Sequence, residues 1–165
     1  MMRDSKILVA LGGQHCFYLR LEGDVRVPWC VSLESYCAAI ISQPEVEAVC
    51  VDITAASNLD STTLGVLARV AVLSAKHCAR PALLLCDDDD IHRLISSMGF
   101  PSVYDIRRQS LSEEVSFDEL PLLDSSESDL QDAVIAAHRA LMDLSEDNRA
   151  AFEHLVDVLE RNKEK

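Results

Sequence analysis

One stretch constrains this chain more than any other. Val46–Ile53 is a run rich in apolar and β-branched residues, and soon after it Leu64, Leu67, Ala68, Ala71, Val72 and Ala75 recur at helical intervals. The first pattern reads as a strand and the second as a helix running to about Cys78, where Arg80-Pro81 stops it. Between them lies a hydroxyl-rich turn, Ala55-Ala56-Ser57-Asn58-Leu59-Asp60-Ser61. A strand feeding a helix through a short turn is the unit from which parallel sheets are built, because the helix returns the chain to the edge where the next strand starts.

The flanking sequence extends this unit in both directions. Ile7–Leu11 and Cys16–Leu21 read as two strands of a hairpin turned at Gly12-Gly13. Pro28 opens a helix carrying Leu33, Tyr36, Cys37, Ile40 and Ile41, which should end before Pro44. Ala82–Cys86 is a short apolar strand expected to be buried on both faces. Asp87–Asp90 begins a third helix stopped at Gly99, and Ser102–Ile106 reads as the last strand. The predicted order is β-β-α-β-α-β-α-β, an α/β sandwich with a mixed, mostly parallel sheet.

Residues 108–126 are rich in Ser, Glu and Asp and read as a partly ordered linker between a domain at 1–107 and a tail at 127–165. The tail predicts a helical hairpin. Leu130, Val134, Ala137 and Leu141 stripe its first helix, and Phe152, Leu155, Val156 and Leu159 stripe its second, with Ser145 as N-cap. A hairpin of this size cannot bury its own stripes. It is expected to dock on the chain's own sheet domain or on a second copy, so an oligomer stays open.

The 165 residues carry a net charge of −13, which argues against nucleic acid as a partner. Residues 1–82 hold a net −1 and residues 83–165 a net −12, so a partner facing the second half is expected to be basic. No apolar stretch approaches the roughly 20 residues of a membrane helix, and the apolar run after the first six residues is too short for a secretory core. A cytoplasmic location without membrane insertion is expected. Cys16, Cys30, Cys37, Cys50, Cys78 and Cys86 form no Cys-x-x-Cys pair, and several lie in apolar runs, which points to buried reduced thiols.

The turn before the second long helix is the candidate site. Backbone N–H groups at a helix start lack intrahelical acceptors and attract anions. Ser61 stands there, where a kinase could reach it and those N–H groups could hold its phosphate. Asp60 can cap the helix or orient the hydroxyl, and Gly65, one turn in, admits a backbone where a Cβ would obstruct. Ser and Asp before a helix are also ordinary capping residues, and alone they would mean no more than that.

The wider pattern resembles the STAS family, the domain of bacterial anti-sigma factor antagonists. Asp52 at the strand end, Asp60-Ser61 after a short loop and Leu64-Gly65 at the helix head match that family's motif in order and spacing, and Met98-Gly99-Phe100 is similar to its helix-ending pair. The element order over residues 7–107 is also similar, and the tail is like that of longer proteobacterial members of the HsbA type. The resemblance implies a non-enzymatic switch: an anti-sigma factor is bound while Ser61 is unphosphorylated and released once a serine kinase modifies it, with a phosphatase reversing the step. It further implies a partner surface of Ser57, Asn58, Asp60, Ser61, Thr62, Thr63 and Gly65. Thr63 stands where the family often has glycine, so Thr62 and Thr63 are alternative acceptors. A second reading of the same resemblance is a small-ligand-binding or lipid-transport accessory module.

Other chemistry finds little footing. Four consecutive acids at Asp87–Asp90 suit a helix start and point in different directions, so no metal is expected there. His15, His77, His92, His138 and His154 share no ligand spacing and read as surface or helix-flank residues. No Gly-x-Ser-x-Gly elbow and no phosphate loop occurs, and no cofactor is expected. Trp29 after Pro28 reads as a staple of the helix that follows it.

Overall fold

A computed structural model describes residues 4–112 and 114–164. The described residues form an α/β fold with a mixed seven-stranded sheet. In chain order the elements are β1 (Lys6–Leu11), β2 (Cys16–Val25), α1 (Cys30–Ile41), β3 (Ala48–Asp52), β4 (Ala56–Leu59), α2 (Ser61–His77), β5 (Leu83–Leu85), α3 (Asp89–Ser97), β6 (Asp105–Arg107), β7 (Asp118–Glu119), α4 (Glu127–Met142) and α5 (Glu146–Lys163). The sheet runs β6-β5-β3-β2-β1-β7, with β4 branching from the far half of β2. β1 is antiparallel to β2 and β7, and the remaining pairs are parallel.

The period-two pattern of the strands divides the sheet into two faces. Ile7, Val9, Phe17, Leu19, Leu21, Val49, Val51 and Leu84 face the main core with α1, α2 and α3. Burying each such large side chain is worth about 1.5–3 kcal/mol. Ala10, Cys16, Tyr18, Ala48, Cys50 and Leu85 make the opposite face. Among the described residues no helix packs on that face. Leu111, Val115 and Phe117 pack on it instead, so the segment expected to be a linker is a strap across the sheet. The strap joins the far edge as β7, and Leu120 N–H donates to the Ile7 carbonyl at 2.8 Å.

The two C-terminal helices dock on the same chain. Ser126 and Ser145 cap them through the Asp129 and Asn148 N–H groups at 3.0 and 3.1 Å. Ala137 and Leu141 of α4 are fully buried in the main core. α5 folds back along α4, where Gln131 Nε2 donates to the Leu159 carbonyl at 3.1 Å. Asn148, 3% exposed, ties the start of α5 to the body by donating to the carbonyls of Met98 and Leu141.

Several expectations are corrected here. The turn between β3 and α2 contains a strand, β4, which pairs parallel with β2 past a register shift at Gly23/Asp24. The last strand of the parallel set begins at Asp105, because Phe100–Ser102 is a 3-10 turn after Gly99, whose φ of 83° no Cβ-bearing residue adopts readily. Leu155 is exposed, and Val156 occupies the interior in its place. Trp29 is buried and its indole N–H donates to Ser5 Oγ at 2.9 Å, consistent with a staple.

Candidate functional site

β3 ends at Asp52 on the strap side of the sheet. Its carboxylate accepts from Thr54 N and Thr54 Oγ1 at 2.9 and 2.7 Å and pairs with Arg20 at 3.1 Å. Asp52 therefore builds the turn after the strand and does not approach Ser61. β4 then carries Ser57 and Asn58, both exposed, with Asn58 Nδ2 donating to Asp24 Oδ1 at 3.2 Å. Arg26 lies against the same Asp24 carboxylate at 2.9 Å and, chiefly by that hydrogen bond, holds it below the usual carboxylate range.

Asp60 is the N-cap of α2. Oδ1 accepts from Thr63 N at 2.8 Å, and Oδ2 accepts from Val27 N at 3.0 Å. The cap thus also fixes the approach to α1. Ser61 is the first helical residue and is half-buried. Thr62 and Thr63, expected on the partner surface and as alternative acceptors, are 4% and 0% exposed. Thr63 Oγ1 donates to the Val25 carbonyl at 3.1 Å and lies 3.6 Å from Cys30 Sγ, so it serves as a core tie. Burial pushes the Cys30 thiol up to about 12, which makes it an inert packing group.

The residue that sequence reasoning missed is His138. It is 2% exposed, not a surface histidine, and its Nε2 lies 2.8 Å from Ser61 Oγ. Its Nδ1 lies 2.7 Å from the Val134 carbonyl, which can only accept, so Nδ1 carries hydrogen. In the neutral tautomer with hydrogen on Nδ1, Nε2 accepts and the Ser61 hydroxyl donates. Phe152 closes the pocket edge-on, its ring centroid 5.0 Å from that of His138. One signal was available: His138 sits four residues after Val134 and three before Leu141, on the stripe that faces inward.

Gly65 explains how α4 comes so close. A Cβ at this position would overlap the Ala137 backbone carbonyl. The two helices touch backbone to backbone one turn beyond the Ser61–His138 hydrogen bond. A cleft of about 240 Å³ between α1, α2 and α4 is lined by Glu34, Arg69, Asp129 and Asp132 among others and reaches neither Ser61 nor His138. The serine and the buried histidine are in direct hydrogen-bond contact.

At the start of α3, Asp88 caps by accepting from Ile91 N at 2.9 Å, Asp90 pairs with Arg93 at 3.0 Å, and Asp89 pairs with Arg108. Among the described residues no cluster of three or more potential ligands suits a metal ion, and no helix is long and apolar enough to cross a membrane. No family model matches the chain, and no curated protein matches it in sequence.

Proposed function

We propose that this chain is a phosphorylation-controlled protein-interaction switch of the STAS type, acting in the cytoplasm as an anti-sigma factor antagonist. In this reading it binds an anti-sigma factor while Ser61 is unmodified. A serine kinase ends the binding by phosphorylating Ser61, and a phosphatase restores it. The carrying observation is the placement of Ser61 as the first residue of α2, directly after its cap Asp60 and beside the exposed Ser57 and Asn58 of β4. The sheet order with helices on one face, and a two-helix tail that makes a hairpin extension, support it.

The physical effect is local. Phosphate adds about −1.5 to −2 charges. It would sit beside Asp60, on a chain whose net charge is already −13. A partner fitted to a neutral hydroxyl meets charge repulsion and a desolvation cost instead.

Phosphopeptide mapping of the protein from its native cells, with a pull-down by Ser61→Ala and Ser61→Asp baits, tests the reading. Modification at Ser61, and an anti-sigma factor retained by Ser61→Ala but lost by Ser61→Asp, is the expected result. An unmodified Ser61 together with a co-purified small molecule in native mass spectrometry would favour the ligand-binding alternative.

A further inference from the structure

The geometry points to a latch: the C-terminal helices and a phosphate on Ser61 exclude each other, so modification of Ser61 releases α4 from α2. This inference rests on Ser61 being the modified residue, as proposed above.

Three observations carry it. First, the Ser61 hydroxyl is spent on His138 Nε2 at 2.8 Å, and His138 is 2% exposed with Nδ1 committed to Val134. Phosphoryl transfer from ATP forms an Oγ–P bond, breaks the γ-phosphorus bond to the ADP oxygen and passes the hydroxyl proton to the kinase's catalytic base. That proton is the one Ser61 donates to His138. The product leaves a buried ring nitrogen without its donor and sets three phosphate oxygens against it.

Second, α4 sits close over the start of α2. Gly65 and Ala137 are in backbone contact one turn along, so an outward shift of α4 that makes room for a phosphate gives up this seat. Third, the neighbouring carboxylate carries the same sign of charge as a phosphate. The histidine ring is packed against Phe152, the neighbouring cap is Asp60, and Asp60 uses both carboxylate oxygens on backbone N–H groups.

Exclusion is reciprocal. Docked helices disfavour the kinase, and phosphate disfavours docking. The surface offered to a partner by the unmodified protein is then composite, made from β4, the start of α2 and the outer side of α4. Phosphorylation dismantles it instead of merely charging it.

The test uses the full chain with phosphoserine installed genetically at position 61, so no kinase needs to be known. Hydrogen exchange is followed in residues 127–163 and, as an internal reference, in β3. The expected result is faster exchange of α4 and α5 by roughly tenfold or more, with β3 still protected. Gly65→Ala, which wedges the helices apart without charge, should produce the same pattern. Unchanged or slower exchange in 127–163 of the phosphoserine protein overturns the latch, as does loss of protection throughout, β3 included. Absence of Ser61 phosphorylation in native cells would instead remove the functional reading and leave the exchange result standing.

Discussion

Two helices of this protein start in the same way and are used differently. Asp60 caps α2 and Asp88 caps α3, each accepting from the N–H three residues on at 2.8 and 2.9 Å. At α3 the carboxylates that follow lie exposed and pair with arginines. At α2 the second cap oxygen reaches Val27, the next residue is Ser61, and α4 lies over both. Capping chemistry is a local property that many helix starts share. What turns one of them into a candidate site is what the rest of the chain lays across it.

The strongest way to break this contrast is Gly65→Ala. The added methyl would collide with the Ala137 carbonyl, and overpacking of this kind costs about 1–3 kcal/mol. Thermal melts should show a clear loss, whereas Gly13→Ala, which meets nothing within 4 Å, should melt close to wild type. Equal melting temperatures for the two variants would mean that α4 is not seated on α2 as described.

A smaller effect separates the two caps. Asp60→Ala removes two backbone hydrogen bonds and should cost about 2 kcal/mol, against about 1 kcal/mol for Asp88→Ala. Denaturant titrations of both variants read this directly, and equal losses would show that the Val27 contact adds nothing.

The smallest effect belongs to Asp89. The Arg108 guanidinium holds its carboxyl below the usual carboxylate range, so its contribution is full above the unfolded-state value near ~3.9 and fades as pH falls through the lower folded value. The group is exposed, and solvent screens the pair. Asp89→Asn should therefore be slightly less stable than wild type at neutral pH and match it in the acid limb of a stability–pH curve, where Asp89 is itself protonated. A large loss at pH 7 would contradict this.

Much of the fold was legible because period is a strong signal. The order of β1, β2, β3, β5 and β6, the extent of α2 and the cap at Ser145 follow from apolar spacing and from which residues accept backbone N–H bonds. β4 and β7 were not legible. Both are short, and each forms only because a distant strand offers an edge: β2 for Ala56–Leu59 and β1 for Asp118–Glu119. The site divides along the same line. Asp60, Ser61 and Gly65 were read from local chemistry. The burial of Thr62 and Thr63 and the reach of His138 depend on packing between segments far apart in sequence.

The strap has a consequence for how the chain is made. Val9 of β1 pairs with Asp118 of β7, so the two partners are separated by most of the sequence. Contacts this distant form late, after the loop between them has closed. During synthesis β1 and β2 can pair early, but the outer edge of β1 has no partner until the strap has emerged and crossed the sheet. An open, apolar strand edge invites pairing with other chains. Slowing translation just before residue 118 would lengthen that exposure, and misassembly of the nascent protein should begin at Ile7–Leu11.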